Sequence, residues 1–376
     1  LATRAFVAAC ALLAEIEVGV RIGMPEFFEN RYDYGFAANA GLHEQPDGRV
    51  ELTRSGGRKF YPQSFPAVPP PGTLRIVTVG DVFANDEAFV AKYFHVADFT
   101  AKPDALDALL ADKKIKKPLF LKLQTGKAIE PGKGNSLVAL RSWHAFQKGM
   151  KLFQAHANSA LVTLPVSKEL IMKSGVDFTG HTEQLAAAFA RKVFMCMYHK
   201  TFSVIPLTNH VPLAQVPRKL YEVSTDDLAQ ALRLYRAIFQ PKNKIAWCGV
   251  NPHCGENGRI GNEEEFVRRG IDSLAKQGVV VDGPISADAV FTKHVIKNYS
   301  LVLANYHDQG LIPFKALAGM AGVNTTLGLP RLRVSPDHGT AYSQTAAKQV
   351  DITGVLASLR FAFDFEATWQ QVSQQP

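Results

Sequence analysis

Three of the eleven histidines occupy the same kind of position, just past a short apolar run that is typical of a buried strand. His210 follows FSVIPLTN, His253 follows KIAWCGVNP and His307 follows SLVLANY. Strands of an open α/β sheet end at a common crevice in which ligands bind, so these side chains could converge. Three neutral imidazoles suit Zn²⁺ or a similar borderline ion and leave a coordination position for substrate or water. The pattern predicts a metal site, with a hydrogen-bonded histidine at each strand end as the open alternative.

Two aspartates are candidate catalytic residues. Asp308 follows His307 directly, and Asp288 lies in the segment GPISADAV. A carboxylate in such a place transfers protons or accepts a hydrogen bond that orients a ligating imidazole. For Asp288, a helix cap is an equally good interpretation.

Five further residues are candidates for binding an anion. His181 and Thr182 stand at the start of a helical segment, where free backbone N–H groups attract negative charge, and a plain N-cap is the alternative. Lys315 and Arg333 are cations that could clamp a phosphate or carboxylate, arginine through its bidentate fork. Asn324 lies between them. Solvated surface side chains are the ordinary alternative for the two cations.

Strands and helices must alternate to bring these residues together. Apolar runs that predict strands lie at 74–80, 159–166, 202–209, 244–251 and 300–306. Segments with helical spacing lie at 183–194, 224–239 and 262–278. The second segment opens with Ser224 and Asp227 at capping-box spacing. This alternation predicts βαβ units around a largely parallel sheet.

The N-terminal part of the chain has a different character. Residues 61–72 are rich in proline, which excludes a helix or a central strand, so we predict a linker there. The residues before it have no sustained hydrophobic period. We assign no role to residues 1–72 beyond this linker.

Composition narrows the classes of partner. The net charge of +8 favours an anionic ligand, but the cations are scattered, so a small molecule is a better prediction than a nucleic acid. The four cysteines form no CxxC motif, which indicates a reducing compartment and predicts a cytoplasmic protein. No apolar run reaches the roughly 18 residues that cross a bilayer, so no membrane association is expected.

Beyond these single features, the motifs FTGHTE, LTNHVPL, CGVNPHCGENG, GPISAD, YHDQGLIPFK and GVNTTLGLPRLRVSPDHGTA occur in the order that one family shows. The chain resembles the 4-hydroxythreonine-4-phosphate dehydrogenases of pyridoxal phosphate biosynthesis over residues 74–365. His210, His253 and His307 match the divalent-metal ligands of that family. The substrate-binding residues of the family are matched by His181, Thr182, Lys315, Asn324 and Arg333. Asp288 and Asp308 match carboxylates suited to the proton transfers.

The resemblance implies a fold like that of the isocitrate and isopropylmalate dehydrogenases. Two α/β/α domains flank a cleft in that fold, and a homodimer places the active site at the subunit boundary. On this basis we expect a first domain of residues 73–160 and 325–376 and a second of residues 161–324.

The resemblance also implies a reaction. A bound divalent metal (Zn, Co or Mg) and NAD or NADP support oxidation of the secondary alcohol of 4-phosphooxy-L-threonine. The resulting β-keto acid loses CO₂ to give 3-amino-2-oxopropyl phosphate. The match around DHGTA assigns Asp337, His338 and Gly339 to cofactor binding.

Two segments depart from the family pattern. The GDxxGIGPE loop that opens the family is missing, and TVGDVFANDEAF shares only its Gly-Asp pair. After DHGTA, the usual LAGKG-like stretch is replaced by YSQTAAKQVD, which lacks the glycines that let a backbone approach a cofactor closely. Two other hypotheses therefore stay open: a dehydrogenase for another phosphorylated four-carbon hydroxy acid, and a non-catalytic paralogue that binds metal and a phosphorylated ligand.

Overall fold

The structure, a computed structural model, describes most of the chain from residue 134 onwards and shorter pieces before it. The described residues are 40–44, 50–54, 77–80, 91, 95–98, 109, 119–123, 134–157, 159–340 and 353–373. The predicted linker at 61–72 and the stretch after DHGTA lie outside these residues. The described residues divide into two compact units.

The first unit contains two small sheets, two complete helices and the start of a third among its described residues. Strands β1 (Ala40–Glu44) and β2 (Val50–Arg54) form an antiparallel pair. Strands β3 (Val77–Gly80), β4 (His95–Asp98) and β5 (Leu119–Lys122) are parallel, with β5 in the centre. Helices α1 (Ser136–Ala155) and α2 (Lys168–Lys173) complete the set. The predicted strand at 74–80 is confirmed as β3.

An aromatic and aliphatic core holds the first unit together. Leu119 and Leu121 of β5 are buried, and Leu152 of α1 packs against them. The indole of Trp143 lies 5.4 Å from the ring of Phe178, centroid to centroid, in an edge-on contact. The helix α1 begins where the Asn135 side chain accepts a hydrogen bond from the backbone of Val138.

The second unit is built on one eight-stranded sheet, in the order β10-β9-β11-β8-β7-β12-β13-β6. Its strands are β6 (Leu161–Val162), β7 (Phe194–Tyr198), β8 (Ser203–Pro206), β9 (Lys244–Cys248), β10 (Asp282–Ile285), β11 (Tyr299–Ala304), β12 (Val323–Leu327) and β13 (Arg333–Pro336). Strands β10, β9, β11 and β8 are parallel. The next three pairs, β8–β7, β7–β12 and β12–β13, are antiparallel.

The prediction of a largely parallel sheet is correct for β10, β9, β11 and β8 and for the β13–β6 pair, whereas β7 and β12 pair with their neighbours in the antiparallel sense. β7 and β8 are joined by a tight turn in which His199 N–H donates to the Phe202 carbonyl, and such a short connection requires an antiparallel pair. The predicted helical segment 183–194 runs five residues beyond the end of α3 at Phe189, and its last residue, Phe194, is the first of β7.

The helices of the second unit lie on both faces of the sheet. They are α3 (His181–Phe189), α4 (Val216–Leu220), α5 (Thr225–Phe239), α6 (Glu264–Lys276), α7 (Ala287–Val290), α8 (Lys293–Ile296), α9 (His307–Ala318) and α10 (Thr353–Ser373), the last shared between the units. Leu311 and Phe314 of α9 pack on Val204 and Ala304 at one face. At the other face, Trp247 contacts Phe266 of α6, with ring centroids 5.7 Å apart.

The observed division of the chain differs from the predicted one. Residues 325–337 fall in the second unit, where we had expected them in the first domain. The reason is hydrogen bonding, because β12 pairs with β7 and β13 pairs with β6 in the large sheet. Among the described residues, no helix is both long enough and apolar enough to span a membrane.

Candidate metal and substrate site

The parallel strands β8, β9 and β11 carry the three predicted metal ligands past their carboxyl ends. β11 lies between β9 and β8, so the three strands end at one edge of the sheet. His307 begins α9 directly after β11, and His210 follows β8. Their imidazole centroids are 5.7 Å apart. The structure thus pairs two of the three histidines.

His253 lies outside this pair within one chain. Among the residues that the structure describes, no group of three or more His, Cys, Asp or Glu side chains is placed to hold a metal ion. His253 is exposed and begins a left-handed run, with φ of 50°, that continues to Asn257. The convergence of all three imidazoles stays a prediction.

A buried carboxylate holds the turn that carries His253. Glu264, 1% exposed, accepts hydrogen bonds from the backbone N–H of Asn251 at 2.6 Å and from its side chain at 3.1 Å. Gly255 has a φ of 73°, and a Cβ there would lie 2.5 Å from a Glu264 carboxylate oxygen. Left-handed backbone costs about 1–2 kcal/mol per non-glycine residue, so these contacts are needed to keep the turn. Nothing in the spacing of the sequence identified Glu264.

The two candidate catalytic aspartates have different partners. Nδ1 of His307 lies 2.7 Å from a carboxylate oxygen of Asp308, an arrangement that leaves Nε2 of the same ring to act as a ligand. Asp288 accepts a hydrogen bond from Ser286 at 2.5 Å, which lowers the pKa of its carboxyl group, and the charge of His253 lowers that pKa further. Asp308 therefore stands beside the histidine pair, whereas the hydrogen bond of Asp288 is to Ser286.

Two of the predicted substrate residues share one face of the sheet. The antiparallel register pairs Asn324 with Ser335 and Thr325 with Val334, so Arg333 lies opposite Thr326, two residues from Asn324 on the same side of β12. The Nη1 of Arg333 donates to the hydroxyl of Thr326 at 3.3 Å. Asn324 has a buried side-chain oxygen that accepts no hydrogen bond from the described residues. This amide is available to a ligand.

Arg333 is a buried cation. It is 3% exposed, and desolvation lowers the pKa of its guanidinium to about 10, partly offset by the charge of Glu183. The group stays charged at neutral pH. Its Nη1 also reaches the Thr182 hydroxyl at 3.5 Å, which brings the start of α3, with His181, next to the arginine.

Lys315 is the more exposed of the two substrate cations. It extends from α9 and forms an ion pair of 3.1 Å with Asp337, whose side chain is 14% exposed. The sequence predicts that Asp337 binds the cofactor, and the ion pair joins it to Lys315, which is predicted to bind the substrate. Nδ1 of His338 lies 2.9 Å from the carbonyl oxygen of Gly339. The cofactor assignment of these three residues stays a prediction.

The sequence that forms this site matches a known protein family. The model of the pyridoxal phosphate biosynthetic protein PdxA family matches residues 75–362. The chain belongs to the PdxA family. The resemblance drawn from the motifs is thereby confirmed.

Individual PdxA relatives agree with the family match. A 4-hydroxythreonine-4-phosphate dehydrogenase of Xanthobacter autotrophicus is 37% identical over 230 residues, which are 58% of this chain and 65% of the relative. The enzyme of the same name from Aquifex aeolicus is 40% identical over 210 residues, 54% of this chain and 64% of the relative. The chain thus spans less than two thirds of the length of both relatives.

Solved PdxA-type structures share the fold. A crystal structure of 4-hydroxythreonine-4-phosphate dehydrogenase from Klebsiella pneumoniae is 27% identical, with a TM-score of 0.59 over 77% of this chain and 90% of that one. The corresponding structure from Burkholderia phymatum gives a TM-score of 0.57 at 27% identity, over 77% and 88% of the two chains. The α/β class predicted from the sequence is confirmed.

Proposed function

We propose that this PdxA family chain is a metal-dependent, NAD(P)-linked dehydrogenase acting on 4-hydroxythreonine 4-phosphate. The relatives that carry this activity in their names support the substrate. The observation that carries the proposal is the His210–His307 pair, with ring centroids 5.7 Å apart, at the sheet edge where α/β folds bind ligands. Free Cys196, Cys248 and Cys254 fit a cytoplasmic location.

The donor set fits a borderline divalent cation such as Zn²⁺ or Co²⁺. Two imidazoles lie close together, and Asp308 orients the ring of His307 as carboxylates orient metal-bound histidines. Among the described residues of a single chain, His253 does not join these two imidazoles in a group that could hold a metal ion. We therefore propose a homodimer in which the partner subunit's His253 completes the ligand set.

Such a cation, when bound, polarises the substrate alcohol and the carbonyl formed from it. The residues of the chain bind and orient the substrate. Arg333, buried and charged, and Lys315 are suited to its phosphate and carboxylate groups. The side-chain oxygen of Asn324, which accepts no hydrogen bond from the described part of the chain, can accept one from a substrate hydroxyl or amino group. To Asp308 and Asp288, both exposed carboxylates, we assign the transfer of a proton to or from the substrate.

Oxidation requires a hydride acceptor, for which we propose NAD or NADP. NAD(P)⁺, when bound, would accept a hydride from the alcohol carbon, while the hydroxyl proton would pass to a base. The β-keto acid then loses CO₂ and takes up a proton to give 3-amino-2-oxopropyl phosphate. Asp337, His338 and Gly339 are our candidates for contact with the cofactor.

Initial rates of NADH or NADPH formation test this function. The full chain is assayed with Co²⁺, Zn²⁺ or Mg²⁺, with 4-phosphooxy-L-threonine and, as the matched comparison, with 4-phosphoerythronate, which lacks the amino group. We expect metal-dependent turnover that is faster with the amino substrate. Faster turnover of the erythronate would assign the chain to another phosphorylated hydroxy acid. Metal and substrate binding without turnover of either compound would identify a non-catalytic binding protein.

A further inference from the structure

A buried polar network joins the three strand ends that carry the histidines. Its centre is Asn305, fully buried at the end of β11. The side chain of Asn305 accepts from the indole N–H of Trp247 at 3.0 Å and donates to the carbonyl of Cys248 at 2.9 Å, both in β9. Its backbone carbonyl accepts from the hydroxyl of Thr208, just past β8, at 2.8 Å. One residue thus connects the segments that lead to His210, His253 and His307.

Gln309 completes the network from the first turn of α9. Its side-chain oxygen accepts from the backbone N–H of Asn305 at 2.7 Å, and its Nε2 donates to the carbonyl of Gly249 at 2.7 Å. Both backbone groups lie past Leu303 of β11 and Trp247 of β9, the last residues that pair in the ladder between these two strands. The side chain therefore continues the link between the strands where the ladder has stopped.

We propose that Gln309, acting with Asn305, is a positioning residue that fixes the relative placement of the three histidine-bearing strand ends. The inference rests on the proposed function, because it concerns the cation that these histidines would hold. A backbone group left without a partner must turn towards water, and the loop that carries it moves. Loss of the Gln309 side chain would remove the hydrogen-bond partner of two backbone groups. They are the N–H of Asn305, two residues before His307, and the carbonyl of Gly249, four residues before His253.

The opposite ends of the same strands provide a matched control. The hydroxyl of Tyr235 donates to the Ser300 carbonyl at the start of β11 at 2.8 Å and lies 3.2 Å from the Ser203 hydroxyl at the start of β8. Tyr235→Phe removes a buried cross-strand link from these strands, far from the edge where the histidines stand. If Gln309 had only a structural role, removing its side chain and Tyr235→Phe would affect thermal stability and metal binding in the same way.

The test measures Co²⁺ affinity by the visible absorption of the bound ion, and thermal unfolding of the metal-free protein. We expect both Gln309→Leu and Tyr235→Phe to lower Tm. Only Gln309→Leu should weaken Co²⁺ binding, by about 10-fold or more as for other residues that support metal ligands, and change the Co²⁺ spectrum. If Gln309→Leu does not fold, Gln309→Asn keeps an amide that is too short to reach both groups and should show the same weakening.

Wild-type affinity in a folded Gln309 variant would overturn the inference, as would equal weakening in Tyr235→Phe. Failure of the unmodified chain to bind Co²⁺ would instead overturn the proposed metal site and this inference with it. The two failures are distinguishable because the second is seen without any substitution.

Discussion

Arg333 shows how burial prepares a single residue for an anionic substrate. Its guanidinium is 3% exposed, and the hydroxyls of Thr326 and Thr182 accept hydrogen bonds from it. Desolvation already lowers its pKa, with only Glu183 acting in the other direction. A phosphate or carboxylate would offer this guanidinium a charged, bidentate acceptor.

We predict that Arg333→Lys raises the KM for 4-phosphooxy-L-threonine about 10-fold, because lysine keeps the charge but loses the planar fork. Steady-state kinetics over a range of substrate concentrations measure this effect. Arg269→Lys is the control, since Arg269 forms an exposed ion pair with Glu265. An unchanged KM in Arg333→Lys would exclude the anion-binding role.

At the scale of elements, α9 is positioned by a close contact with the sheet. Gly310 lies three residues after His307, and a Cβ at this position would lie 2.5 Å from a methyl carbon of Val204 and 2.9 Å from the Cβ of Ala304. Only glycine allows the helix to approach β8 and β11 this closely. The position of the His307 ring therefore depends on how α9 packs.

We predict that Gly310→Ala destabilises the protein by about 1–3 kcal/mol, the cost of overpacking, although alanine favours a helix elsewhere. Urea unfolding measures this change, and a Co²⁺ titration should show weaker binding because α9 is displaced. Ser224→Ala, which removes the N-cap of α5, is the control; it should cost about 1 kcal/mol without affecting Co²⁺ binding. A Gly310→Ala variant as stable as the wild type would contradict this account.

The elements with a strong local signal were predictable from the sequence. The apolar run at 244–251 contains β9, and the run at 300–306 covers all of β11 except Tyr299. The Ser224 side chain caps α5 by accepting from the Asp227 N–H at 3.2 Å. β7 was missed because EQLAAAFARKVF keeps a helical period beyond Phe189, where Ala190 adopts a left-handed conformation and ends α3. The sequence pattern of EQLAAAFARKVF gives no sign that β7 follows α3.

The site was predictable in its residue types and less so in its geometry. The strand-end position of each histidine follows from the sequence and is confirmed. The supporting residues Glu264, Asn305 and Gln309 were not identified, because each acts through hydrogen bonds to backbone groups that are distant in sequence or in a loop. Their roles depend on the tertiary structure and have no motif of their own.

At the scale of the whole molecule, the proposed metal site takes its ligands from two chains. One chain pairs His210 with His307 and leaves His253 on a separate turn. A two-fold homodimer can supply His253 from the second subunit to each pair, because an isologous interface repeats the same contact twice. The family resemblance implies an active site at that boundary.

The most direct measurement of this claim is subunit complementation between inactive variants. We expect His253→Ala and His307→Ala each to abolish dehydrogenase activity alone, and co-expression of the two to restore about one quarter of wild-type activity. Half of the dimers are then mixed, and each has one intact site of two. The control is co-expression of His210→Ala with His307→Ala, which should remain inactive because both changes damage the same pair. Absence of activity in the first mixture, or full activity of either single variant, would contradict a cation held by three histidines from two subunits.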